Sequence, residues 1–434
     1  MRFKSVKGMQ DILPEAEPYW RQVTATVQDT ARRFGFEQIS TPVLESTALF
    51  SRGVGEDTDI VSKEMYTFTD RAREGEQGES LTLRPEFTAG VMRAYIEHGM
   101  SSLPQPQKLY SVGPLFRREK PQKGRYRQLH QFNAEIIGSA DPVADFEILL
   151  LSYSIYMELG LKNLRFQINS TGDPDCKPKY VAALKEYLAP YADKLAPTDR
   201  DRLQRNPLRV LDSKERETLP YLENAPHIID YLNDDCRNHF HELLGYLDAA
   251  GIAYSINHRL VRGLDYYTKT VFELWGEGLG AQAALCGGGR YDGLVELLGG
   301  SPTPGVGFAT GLERIIMSMQ DAGIQPATLE RPDYFIAYHG EAAKREAVKL
   351  ITTLRMAGVG ARVAFGGRSL KAQLKDADRM RCRYVLIIGE DELAGHTVAL
   401  RDLSKSEQSS LPMDQVVNAL KQRGHMAECE KRVD

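Results

Sequence analysis

Apolar residues recur along this chain at spacings that change character twice. Over residues 15–36, Trp20, Val23, Val27 and Ala31 stand three or four apart, the stripe of an amphipathic helix, and Gly35 ends it. Residues 36–45 alternate enough to predict a strand, which Pro42 confines to an edge or a packed turn. Further strands are expected at 65–68, 81–84, 108–112 and 130–137, with helices at 87–98 and 143–160. Strands this close in sequence, with helices between them, predict an α+β domain on a mainly antiparallel sheet.

The texture then shifts. Prolines at 174, 178, 190, 197, 207, 220 and 226 separate short charged helices, so about 173–235 reads as an inserted, mostly helical module. The sheet pattern resumes at 254–257, 266–275 and 305–309 and runs into a helix over 311–319. Gly323, Pro326 and Pro332 punctuate a polar stretch. Beyond it strands at 334–338, 362–365 and 384–388 alternate with helices at 341–357 and 369–379. A strand at 397–403 and a helix near 412–423 close an α/β sandwich with a parallel core. The expected domains are 1–325 with the insertion, a linker at 326–331, and 332–434.

Composition narrows the function classes. The chain has 434 residues, 42% hydrophobic and 26% charged, which suits two or three globular domains. Lys and Arg number 55 against 59 Asp and Glu, a net charge of −4 that argues, as a whole-chain figure, against a nucleic-acid partner. Five widely spaced cysteines without a CxxC pair exclude a disulfide framework and fit a reducing compartment. The first 14 residues lack the apolar stretch of a secretion signal, and the apolar run 146–159 is short and holds Glu147 and Glu158. A cytoplasmic location and no membrane partner are therefore expected.

Five segments carry candidate chemistry. In Leu81-Thr-Leu-Arg-Pro-Glu-Phe-Thr88, Pro85 opens a helix and leaves Glu86 and Thr88 in its first turn. They either cap the helix or grip a substrate amine or imidazole. Residues 108–127 hold seven basic side chains (Lys108, Arg117, Arg118, Lys120, Lys123, Arg125, Arg127) against Glu119 alone. Such a hairpin is either a solvated charged surface or a phosphate holder. The strand after it puts Gln131 and Glu135 on one face, which favours a pocket. Arg262, Asp265, Tyr266 and Tyr267 combine anion-binding and ring-binding groups. Glycines 287–289 precede Arg290 and Tyr291 and allow a close backbone approach to a ligand. Arg314 stands in the first turn of a helix, where phosphate binds well. Cys236, His239 and His241 suggest a metal, but spacings of three and two do not share a helix face.

The order of these segments resembles a known family. Thr41-Pro42, Phe116-Arg117-Arg118-Glu119 and Gly311-Leu-Glu-Arg314 are similar to motifs 1, 2 and 3 of class II aminoacyl-tRNA synthetases. Arg262-Gly-Leu-Asp-Tyr-Tyr267 and Gly287-Gly-Gly-Arg-Tyr-Asp-Gly293 resemble the two histidine signatures of the histidyl-tRNA synthetases, and Lys7–Pro14 is similar to that family's opening. Met9-Gln10 and Phe87 depart from its pattern; at Phe87, where Gly is common, only the backbone could serve the pocket.

The resemblance implies a class II antiparallel-sheet catalytic domain with a helical insertion, followed by an α/β anticodon-binding domain. It implies that histidine attacks the α-phosphate of ATP, giving histidyl-adenylate and pyrophosphate, and that the 3′ end of tRNA(His) takes the histidyl group. Arg262 and Arg117 would be catalytic. Glu86, Phe87, Thr88, Arg117, Gln131, Glu135, Arg262, Tyr266, Tyr267 and Tyr291 would bind histidine. Arg117, Glu119, Arg125 and Arg314 would bind ATP, with Mg²⁺ accompanying its phosphates and no protein ligand assigned to it. A homodimer formed through motif 1 is implied too, and contact of the insertion with the acceptor arm. A non-catalytic paralogue that regulates ATP phosphoribosyltransferase is the rival, but it typically lacks the anticodon domain and motif residues present here. Local charge also revises the whole-chain figure: residues 362–383 carry seven basic side chains against Asp376 and Asp378, a plausible RNA footprint.

Overall fold

A computed structural model of the chain describes residues 3–55, 58, 60–71, 78–120, 124–263, 266–276, 284–327, 332–405 and 407–430, with backbone alone for 424–430. It divides into two units, Met1–Ala327 and Thr328–Asp434. Residues 328–331 of the expected linker lie outside the described residues.

An eight-stranded sheet organises the first unit, in the order Glu37–Gln38, Gln107–Phe116, Gln128–Ile137, Gly305–Gly311, Ala284–Arg290, Thr268–Gly276, Leu164–Ser170 and Tyr254–Ile256. Only the two outermost pairings are parallel. The six strands between pair antiparallel. Two of these strands, Leu164–Ser170 and Ala284–Arg290, are not among the expected ones. The second holds three glycines, which weaken strand propensity and read as a loop. Conversely, the strand expected over 36–45 is two short pieces, the later one (Leu44–Ser46) in a separate three-stranded sheet with Ser80–Leu83 and Tyr66–Thr69.

Period-two alternation gives the large sheet two different faces. Phe132, Ala134 and Ile136 enter a core with Phe272, Leu274 and the stripes of the helices Glu17–Arg33, Pro142–Glu158 and Leu312–Asp321. The long helix starts cleanly because Pro142 occupies its first turn and Asp141 accepts from Val143 N at 2.9 Å. On the other face Ile137, Val271, Tyr267 and Tyr291 pack with Val91, Met92 and Tyr95 of the helix Thr88–Glu97.

The insertion has its own core, built from Tyr180, Leu184, Leu188, Leu203, Val210, Leu211, Leu222 and Ile228. The second unit is a five-stranded sheet ordered Ala361–Val363, Tyr334–Tyr338, Tyr384–Ile388, Thr397–Asp402, Glu407–Pro412. Its first three strands are parallel and the last two pair antiparallel. The expected parallel core is thus joined by an extra edge strand that takes Pro412, and the closing helix starts at Val416. Proline is tolerated there because it ends an edge strand.

Candidate active site

Where the sheet's second face is left open, a cleft of about 310 Å³ forms. Its lining includes Arg117 and Gln131 from the central hairpin, Glu119 and Arg125 from the loop between, Arg262, and Arg314. These come from strands far apart in sequence that the antiparallel order makes neighbours. Arg314 is the third residue of the helix Leu312–Asp321, and its Nη1 donates to Ala284 O at 2.5 Å. Arg117 Nε donates to Pro85 O at 2.8 Å. The hairpin's other basic residues go elsewhere. Lys108 is drawn to Phe34 O and Glu147. Arg118 and Arg127 line a different hollow with Met65, Tyr66 and Thr67, Lys120 is exposed, and Lys123 lies outside the described residues. Expecting the whole basic run to form one phosphate holder overstated it, because alternate residues of a hairpin face opposite ways.

Beside the cleft lies a buried polar cluster centred on Glu135, which is 1% exposed. Its Oε1 accepts from Thr88 Oγ1 at 2.7 Å and Asn133 Nδ2 at 2.8 Å, and its Oε2 accepts from the Tyr291 hydroxyl. Burial, with the nearby Glu86 charge adding to it, pushes this carboxyl up to about 8 despite those donors. Tyr266 packs edge-on to Tyr291, 5.7 Å between centroids, and 4.8 Å from Tyr267. Burial pushes all three phenols up, so they remain donors at neutral pH.

Glu86 caps the helix. It stands before the helix rather than in its first turn, and its two oxygens accept from Thr88 N at 2.7 Å and Ala89 N at 2.8 Å. Burial raises its pKa against those two bonds and the Arg117 charge. Phe87 is turned into the core under the Arg84 guanidinium, 4.5 Å from its ring centroid, and its carbonyl accepts from Val91 N within the helix. Neither its side chain nor that carbonyl is offered to the cleft.

Arg262 lies against the glycine strand. A Cβ on Gly287 would sit 2.7 Å from its Nη1, and one on Gly307 would meet Glu135 Oε2 at 1.7 Å. These glycines therefore admit protein side chains to the sheet surface, and Gly287 itself lines the cleft. Arg290, their neighbour, is fully buried and paired with Asp145 and Asp292 rather than facing the cleft.

Sequence reasoning missed two acids of the cleft. Glu273 accepts from Arg262 Nη1 at 2.5 Å and from Trp275 Nε1 at 3.0 Å. Glu313 accepts from His130 N at 2.9 Å and faces His130 Nδ1 at 3.0 Å. An acid set among Val271, Phe272, Leu274 and Trp275 was the available signal for Glu273. Among the described residues, Arg262 Nε and Glu119 Oε2 are buried without a hydrogen-bond partner. Such orphaned groups in a cleft point to a polar ligand. Cys286 also lines the cleft, and burial pushes its thiol up to about 12, which favours the protonated form at neutral pH.

The suspected metal trio takes three directions. Cys236 faces Cys176 at 3.7 Å between sulfurs, His239 Nε2 lies 3.2 Å from Asp145 Oδ1, and His241 is exposed. Among the described residues, the group that does converge is Asp173, Cys176 and Cys236. There the Asp173 carboxylate already accepts from Asp175 N, Cys176 N, Cys176 Sγ and Asn233 Nδ2.

A family model for histidyl-tRNA synthetase matches residues 8–172 and 176–315, and one for the anticodon binding domain matches 333–423. The chain belongs to the histidyl-tRNA synthetase family. It is 45% identical to the histidine–tRNA ligase of Caldicellulosiruptor saccharolyticus over 98% of this chain and 100% of the relative. It is 45% identical to that of Dehalococcoides mccartyi over 97% of this chain and 100% of the relative. Among solved structures, apo histidyl-tRNA synthetase from S. aureus superposes with a TM-score of 0.80 at 37% identity, covering 97% of this chain and 100% of that one. The class II synthetase architecture expected from the motifs is thus the one observed. Membership in this family of aminoacyl-tRNA synthetases makes ATP a substrate. No helix of the described residues is long and apolar enough to cross a membrane.

Proposed function

We propose that this chain is a histidine–tRNA ligase that activates histidine with ATP and passes it to the 3′ end of tRNA(His). The observation that carries this reading is the juxtaposition of four arginines in one cleft with the Glu135, Thr88 and Tyr291 cluster at its side. The histidine carboxylate attacks the α-phosphorus, the bond to the β-phosphate bridging oxygen breaks, and pyrophosphate leaves with that electron pair. A ribose hydroxyl of the tRNA then attacks the adenylate carbonyl and AMP departs. This chemistry needs charge neutralisation and alignment more than a protein nucleophile.

Arg117 holds the α-phosphate and the substrate carboxylate in this reading, and Arg125 and Arg314 take the γ-phosphate. Arg262 faces the α-phosphate with its orphaned Nε, the electrophilic contact at the reacting centre. Mg²⁺ would come as part of the ATP substrate and would shield its phosphates; Glu119, a cleft carboxylate 3.5 Å from Arg125 Nη1, has the oxygen chemistry to touch it. Glu135, Tyr266, Tyr267 and Tyr291, with Thr88 and Gln131, recognise histidine. A wrong amino acid leaves these buried groups unpaired and is rejected on that account. Glu86 and Phe87 act through the backbone they shape.

The second unit binds tRNA. Phe365, 82% exposed, lies in sequence between Arg362 and Arg368, with Lys371 following; an exposed ring in a basic segment suits stacking a loop base beside phosphate contacts. The exposed Val43 and Leu44, next to Thr41-Pro42, supply an apolar surface for the homodimer. Buried free cysteines suit a cytoplasmic enzyme. The test is histidine-dependent ATP–pyrophosphate exchange by the purified chain. Equal exchange with proline or threonine, or none with histidine, removes the reading.

A further inference from the structure

Arg262 reaches the cleft from a short loop that the sheet and the insertion hold jointly. On the sheet side, Asn257 N donates to Ile168 O at 2.9 Å, Asn169 Nδ2 donates to Leu260 O at 3.2 Å, and Leu260 packs in the core with Tyr267 and Tyr291. The insertion grips the remaining residues. The His258 ring stacks on His227, 3.7 Å apart and 2° from parallel. Arg259 donates from Nε to Leu211 O and from Nη2 to Ser213 O, both at 3.2 Å. Val261 packs against the insertion's core, and Arg209 Nη2 donates to Gly263 O at 2.9 Å. Positions 261 and 263 are thus tied to the insertion while the residue between them projects into the cleft.

The gripping segment is itself held firmly. Asp199, fully buried, accepts from Thr218 Oγ1 at 2.8 Å and from Ser213 Oγ. Ser213 is one of the two residues whose carbonyls receive Arg259. Hydrogen bonds therefore run from the insertion's interior to Arg259, ahead of Arg262, and a separate one from the insertion reaches Gly263, just after it.

We propose that Arg209 and Arg259 are positioning residues for the activation step, through which the insertion sets the aim of Arg262. The inference rests on the activation reaction proposed above. Neither residue touches substrate in this scheme. Each fixes the backbone from which the Arg262 guanidinium extends, and a displacement of about 1 Å in a catalytic group costs on the order of 10²-fold in rate. The insertion is thereby part of the adenylation machinery, independently of any contact it makes with RNA.

The experiment is ATP–pyrophosphate exchange without tRNA, using Arg209→Ala, Arg259→Ala, Arg209→Lys, and Arg209→Ala combined with Arg262→Ala. Each alanine variant is expected to lower kcat by about 10- to 100-fold. KM for histidine should stay within about twofold, as for a group acting only on the transition state. Arg209→Lys, which still donates to Gly263 O, should recover most of the rate. In the Arg262→Ala background the Arg209 change should cost nothing more, since a residue that acts through Arg262 has nothing left to position. Unchanged kcat in both alanine variants, or an undiminished loss on top of Arg262→Ala, overturns the proposal. Should Arg209→Ala lose its cooperative melting transition, Arg259→Lys carries the test instead. It keeps only one of two carbonyl contacts and should show a smaller kcat loss with KM preserved; a normal kcat there counts against the proposal. Absence of exchange by the unaltered chain removes the activation reading itself, a result distinct from these.

Discussion

Thr88 Oγ1 donates to Glu135 Oε1 at 2.7 Å, bonding the start of a helix to a strand 47 positions away. That bond fixes a buried carboxyl whose ionisation burial has pushed up to about 8. Between 4.5 and about 8 the folded chain holds a proton here that the unfolded chain has released. The native state then binds more protons, so this group's contribution to stability is full below 4.5 and is lost as pH rises towards 8. Denaturant titrations across that window should show the slope, and Glu135→Gln should flatten it. The same substitution should weaken histidine binding, measured by calorimetry, because the glutamine cannot ionise to meet a cationic ligand. Equal slopes in both proteins would contradict the assignment.

Arg262 is paired with Glu273 at 2.5 Å. Arg262→Ala removes the proposed contact to the α-phosphate and leaves Glu273 as an uncompensated negative charge in the cleft. Exchange kcat should fall by about 10²- to 10³-fold, the usual cost of deleting a donor aimed at developing charge. Arg262→Lys should recover little, since a point charge does not replace a planar fork.

Arg290 and Asp145 form a fully buried ion pair, and Arg290 also donates to Ser139 O at 2.8 Å. Removing one partner strands the other, so Arg290→Met should destabilise the first unit by about 3–5 kcal/mol in chemical denaturation. The Arg290 charge helps hold Asp145 down at about 2, so the pair's stabilisation should fade as pH drops from about 4 towards 2.

Phe365 lies on the second unit, in its basic segment. Phe365→Ala should weaken tRNA binding by about 1–3 kcal/mol, the worth of one stacked base. The measured result should be a raised KM for tRNA in aminoacylation, with histidine-dependent exchange unaltered. A loss of exchange would place the residue in a different role.

Taken alone, the chain's pattern marked most of the helices and many of the strands, and a proline-rich, mostly helical stretch between the sheet segments. It also determined that Gln131 and Glu135 share a face, because these depend on periods of 3.6 and 2 that are local. It marked Arg117, Arg262 and Arg314 by their motifs. What it left open were matters of long-range pairing. The strand Ala284–Arg290 was illegible because its glycines answer to neighbours: Arg262 at Gly287, and the paired strand elsewhere. Glu86 read as cap or ligand, and the cap contacts became visible only with the two amide bonds placed. Lys108 read as part of a phosphate holder until the fold carried it to Glu147. Glu273 and the Arg209 contact to Gly263 owe their roles to partners 11 and 54 residues away, met when the sheet and the insertion close around one loop. Side-chain identity and local periodicity fix what a residue can do; the antiparallel order of the sheet decides which residues it does it with.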